Sequence, residues 1–126
     1  MRSTNLLYWT STVLIALMTA MAGIMYFTDP AIADGFHHLG FPDLLRQELG
    51  IAKLFAAAVL VVPAVPDRVK EWAYAGLAIT FISAIIAHTA VDGIATAVAP
   101  IVSLALLSFS YVYMHKRQAA MHPTLG

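Results

Sequence analysis

Marked position by position as apolar or polar, the chain falls into four predominantly apolar runs separated by short polar breaks. Each run approaches the roughly 20 residues that a helix needs to cross the hydrocarbon of a bilayer. The pattern therefore predicts helices at about 6–28, 43–63, 69–91 and 97–114. Aromatic residues mark the run ends, with Tyr8 and Trp9 opening the first, Tyr26 and Phe27 closing it, and Trp72 and Tyr74 opening the third. These are the places that interfacial aromatic residues occupy. The expected fold is all-α: a four-helix transmembrane bundle in one domain over residues 1–126, with a flexible tail at 118–126. The first run is too long for a signal-peptide core and no small-residue cleavage site follows it, so it reads as a retained helix.

Between the first two runs, Asp29-Pro30 supplies an N-cap followed by proline at the first helical position, and Gly40 supplies a stop. Ile32, Phe36 and Leu39 share one stripe of this segment. A short interfacial helix at about 30–39 follows, too short to span. On the long helices, small and hydroxylated residues recur at three- and four-residue steps: Tyr8, Thr12, Ala16, Thr19, Gly23 and Tyr26 on the first, Gly76, Thr80, Ala84, His88 and Asp92 on the third, Ser103, Leu107 and Ser110 on the fourth. Such stripes are helix-packing surfaces. Their extent favours association into a homo-oligomer or with a partner membrane subunit.

Composition sharpens this picture. Of 126 residues 60% are hydrophobic and 11% charged, against roughly 25% charged in soluble domains. The net charge is zero and no basic block is present, so nucleic-acid binding has no electrostatic footprint. Cysteine is absent, which excludes disulfides, thiol relays and thiolate metal sites. Arg2, Arg68, Lys70, Lys116 and Arg117 fall on one side if the runs alternate in direction. The positive-inside rule then places both termini in the cytoplasm of a multi-pass protein of the cell inner membrane.

Candidate chemistry begins with Lys53, which stands inside the second run. An ammonium in hydrocarbon costs from roughly 3 kcal/mol to more than about 10 depending on the scale, so it is expected to face a bundle interior with a partner. His88, Asp92 and Tyr26 come to a comparable depth from other helices, and Asp29, His37, His38 and Glu48 gather at the same end. The expectation is an outward-facing polar pocket with Lys53, His88 and Asp92 as catalytic candidates and Tyr26, Asp29, His37, His38 and Glu48 as cofactor-binding candidates. An unprotonated lysine acts as general base or nucleophile, with His88 as proton shuttle oriented by Asp92. Neutral His88 also suits haem iron, and Lys53 with His88 suits the carbonyl oxygens of a quinone. Against these stand plain structural roles: Lys53 reaching out to headgroups, Lys53 paired with Asp92 or Asp29, or His88 bonded to Asp92. No metal site is assigned, since adjacent His37 and His38 point about 100° apart on a helix.

Four blocks in order, GIMYFTDP at 23–30, HLGFP at 38–42, LGIAKL at 49–54 and KEWAYAG at 70–76, make the chain similar to the DoxX-like family of small four-helix membrane proteins. The similarity extends over about 6–114. The resemblance implies a four-helix bundle and a link to membrane oxidoreductases, because relatives in the wider group look like quinone-linked thiosulfate oxidation subunits. It brings no agreed catalytic residues. Disulfide-using quinone reductases are distantly similar in architecture, but a chain without cysteine lacks their mechanism. The function expected is binding of a small hydrophobic or quinone-like ligand in redox-linked metabolism. The alternatives are a membrane isomerase or lyase, cofactor-free or haem-dependent, and a non-catalytic membrane subunit.

Overall fold

A computed structural model describes residues 2–121. The elements are α1 (Arg2–Thr28), α2 (Pro30–His38), α3 (Asp43–Val61), α4 (Asp67–Asp92), a single 3₁₀ turn at Ile94–Ala97, and α5 (Val98–Met121), with no strand among the described residues. The expected helices are all present, with ends shifted by a few residues except at the last. There α5 continues to Met121, so 118–121, expected as flexible tail, is helical. Gln118, Ala119 and Ala120 are good helix formers, and Arg117 anchors this turn by donating to Asn5 Oδ1 at 2.8 Å and lying over the Tyr8 and Trp9 rings. The remainder of that expected tail, 122–126, lies outside the described residues.

Helix α1 packs against α3 and α5, while α4 packs against α5 and, more loosely, α3. Three helical segments, Arg2–Thr28, Asp67–Asp92 and Ile94–Met121, are long and apolar enough to cross a membrane. With Asp43, Arg46, Glu48 and Lys53 along it, α3 is not in that class. Large apolar side chains such as Leu17, Phe55, Ile79, Ile86 and Val98 stand exposed on the outside. That inverts the surface of a soluble domain and suits acyl chains.

The α1–α3 contact is close because glycines meet there. A Cβ on Gly23 would stand 3.0 Å from the Gly50 carbonyl oxygen and 3.0 Å from Leu54 Cγ, and one on Gly50 would stand 2.6 Å from the Phe27 ring. Toward the terminal end of the helices the core holds a hydroxyl chain. Ser110 Oγ lies 2.6 Å from both Thr12 Oγ1 and Tyr74 Oη, joining α5, α1 and α4. Lys70, expected at the headgroup interface, is instead buried. Its Nζ donates to the Leu60 and Val59 carbonyls at 2.8 and 3.2 Å and so caps the last turn of α3, where the helix dipole favours a cation.

At the opposite end, α2 is capped by Asp29, whose Oδ1 accepts from Ala31 N at 2.9 Å. It closes with Gly40 at φ +87, Gly40 N donating to His37 O and Phe41 N to Phe36 O. This is the Schellman pattern, which needs a left-handed residue and seats Phe41 against Phe36, their ring centroids 6.1 Å apart. Tyr26 meets Phe36 edge-on at 5.1 Å, so α2 is fastened across the end of α1 by rings.

Two outcomes are expected. Gly23→Val and Gly50→Val lower stability by roughly 1–3 kcal/mol through overpacking, whereas Gly76→Ala, where a Cβ meets nothing within 4 Å, does not; reversible unfolding in mixed micelles reads both. Ser110→Ala strips Thr12 and Tyr74 of their shared partner and costs roughly 1–3 kcal/mol, while Ser108→Ala, on an exposed residue that bonds only its own helix, costs little.

Candidate functional site

Lys53 lies on α3 one turn past Leu49 and is 6% exposed, so it does not snorkel free of the protein. Helical side chains lean toward the N-terminus, and its Nζ comes to 5.4 Å from the Tyr26 ring centroid on α1 and 4.9 Å from that of Phe81 on α4. Both are within the roughly 6 Å over which an aromatic face attracts a cation. At about 2 kcal/mol per desolvated ring, the pair offsets the lower estimate of what the ammonium costs in hydrocarbon but not the higher. No ion pair or hydrogen bond to Lys53 is present among the described residues.

One cavity is lined by Lys53, and a second lies next to that cavity. A groove of about 690 Å³ runs between α3 and α4, lined by Lys53 together with Phe55, Ala56, Val59, Trp72, Gly76 and Leu77, with Glu48 on its rim. It exists because α3 and α4 make few contacts and their facing positions carry small residues, Ala52, Ala56, Ala73 and Gly76. A chamber of about 390 Å³ lies under α2, lined by Tyr26, Phe36, Phe41 and His88 among others. Leu49 and Thr80 line both spaces, so groove and chamber are neighbours. His88 is half-buried.

The sequence-derived site residues are thus distributed over one end of the protein in distinct roles. Tyr26 and His88 share the chamber, Lys53 stands at the boundary with the groove, and Glu48 is exposed on the groove's edge. Asp92 accepts from His38 Nε2 at 2.8 Å, which ties α2 to the end of α4. It therefore neither pairs with Lys53 nor orients His88. Asp29 is engaged as the α2 cap, so the alternative ion pair to Lys53 is also absent. His37 Nε2 meets Asp43 Oδ1 at 2.8 Å, pinning α2 to the start of α3. Among the described residues no group of three His, Asp or Glu converges as a metal site.

The residue that sequence reasoning passed over is Arg46. Its Nη1 donates to the Tyr26 carbonyl in the last turns of α1, Nη2 reaches Asp43 Oδ1 at 3.4 Å, and its Nε is buried without a partner. An arginine one turn into an apolar helix was the available signal. Phe81, inside the apolar run of α4, carried no sequence signal of its contact with Lys53.

The His37 hydrogen bond, with a lesser contribution from Arg46, holds the exposed Asp43 carboxyl below its ordinary value of 3.8. A depressed carboxylate contributes stability that is present above the ordinary value and is lost as pH falls through the lowered one. The expected result is that His37→Ala raises the Asp43 titration toward 3.8 and removes the acid-sensitive link between α2 and α3. Carboxyl NMR shifts against pH check this, and an unmoved Asp43 midpoint contradicts it.

In comparison with known proteins, the model of the DoxX-like family matches residues 10–110. No curated protein and no solved structure matches the chain.

Proposed function

The chain belongs to the DoxX-like family and carries several membrane-length apolar helices, and from its groove and chamber we propose that it binds a small lipophilic molecule whose head bears acceptor oxygens. The observation that carries this reading is Lys53, an ammonium with three donors, buried between the Tyr26 and Phe81 rings and lining the groove. Volumes of about 690 and 390 Å³ fall in the range of roughly 300–1,000 Å³ typical of ligand sites. Apolar walls with few polar groups are the composition of such sites.

In this reading α3 crosses the bilayer with α1, α4 and α5 as a four-helix bundle. Its charges are tolerated because Arg46 is spent on a carbonyl, Asp43 and Glu48 lie near the headgroups, and Lys53 faces inward. With Arg2, Arg68, Lys116 and Arg117 at the terminal end, the positive-inside rule puts that end in the cytoplasm and α2 outside. A quinone is the redox-active member of the ligand class. Lys53 and the half-buried His88 are suited to donate to its two carbonyl oxygens, and Tyr26 and Phe36 to lie along its ring. Such a ligand connects the protein to electron transfer in the membrane.

The test is a titration of purified protein in lipid nanodiscs with a short-chain ubiquinone analogue, followed calorimetrically. Lys53→Met is expected to weaken binding by roughly tenfold or more, the worth of one charged hydrogen bond. Its unfolding midpoint should be unchanged or higher, because a buried ammonium has been removed. Equal affinity in the two proteins excludes Lys53 as the anchor, and loss of stability without loss of binding marks it as scaffold.

A further inference from the structure

The charge bookkeeping around Lys53 is incomplete within the chain. The sequence holds seven acidic residues, and each can be located. Asp29 caps α2, Asp43 is engaged by His37 and Arg46, Asp92 by His38, and Glu71 by His115 at 2.9 Å. Asp34 and Asp67 are exposed, on α2 and at the start of α4. Glu48 is exposed on the groove rim, and no ion pair joins it to Lys53. Among the described residues no carboxylate therefore pairs with the ammonium. In hydrocarbon an unpaired charge is far costlier than a paired one.

We propose that the missing partner is the ligand's own head: an anionic, single-chain lipid whose carboxylate pairs with Lys53 and whose chain lies in the α3–α4 groove. This rests on the ligand-binding reading above and narrows it from any head with acceptor oxygens to a charged one. The groove suits a chain, since its lining from Glu48 to Val59 on α3 extends roughly 16 Å along the helix axis at 1.5 Å per residue. Exposed Ile51, Phe55 and Trp72 edge it where it opens between the two helices. Glu48 on the rim opposes an anion there and favours a head seated deeper, at Lys53, over one held at the surface. A single chain is implied because the groove is one channel between two helices.

The experiment uses the full-length protein in nanodiscs of zwitterionic lipid, carrying Trp9→Phe so that Trp72 is its one tryptophan. A doxyl-labelled stearate and its methyl ester are titrated at about pH 9, where the carboxyl is ionised even when the bilayer raises its pKa. The saturable part of Trp72 quenching is read. The acid should saturate at roughly tenfold lower mole fraction than the ester. Lys53→Met should abolish that difference while Lys53→Arg keeps it. Gly76→Leu, placed in the groove lining where an added Cβ meets nothing within 4 Å, should reduce quenching by both probes. Acid and ester saturating alike in the unmodified site overturn the anionic preference and leave lipophile binding standing. No saturable quenching by either overturns both. Because the acid-to-ester comparison needs no substitution at Lys53, it decides the question even if Lys53→Met does not fold. Saturation unaffected by Gly76→Leu removes the chain from the groove.

Discussion

Hydrocarbon offers no hydrogen bonds, so a polar group held inside a membrane protein must find its partner within the molecule or in something the molecule binds. Most of the fold can be read as compliance with that rule. The hydroxyls of Thr12, Ser110 and Tyr74 satisfy one another across three helices. Two cations are spent on helix ends: Arg46 on the Tyr26 carbonyl and Lys70 on those of Val59 and Leu60. Each such contact also fixes one helix against another, so polar satisfaction and tertiary architecture are the same set of interactions. Lys53 departs from the pattern, having rings for neighbours and a cavity beside it.

The helices were legible because their causes are local. Apolar run length, Asp29-Pro30 and Gly40 each act over a few residues, and the Schellman turn at Gly40 realises a stop that a glycine at that place announces. Lys53 stands inside an apolar run and is expected to face the bundle interior, with reach to the headgroups as the alternative; it is buried. Partners were another matter. Thr12 and Ser110 are separated by 98 positions and His38 and Asp92 by 54, and no periodicity encodes which stripe meets which. Asp92 shares a four-residue stripe with His88, yet its carboxylate turns to α2, because His38 at the end of that helix reaches it.

Lys70 illustrates the same limit. Beside Trp72 and Tyr74 it has the composition of an interface. What composition does not contain is the tight connection after α3, which leaves the last carbonyls of that helix facing the first turns of α4. An unsatisfied helix terminus attracts a lysine amine more strongly than headgroup water does once the two are in reach. Arg46 is used in the corresponding way at the end of α1. Cations that appear as exposed punctuation in the sequence thus act as couplers between helices.

The groove between α3 and α4 is edged by exposed apolar side chains, and if α3 crosses the bilayer as proposed it opens toward the acyl-chain layer rather than either aqueous phase. A molecule reaching Lys53 by that route arrives by two-dimensional diffusion, after partitioning into the bilayer. Occupancy is then governed by mole fraction among lipids, and a compound's solubility in water has no direct bearing on its access. The protein would in this respect sample the composition of its own membrane.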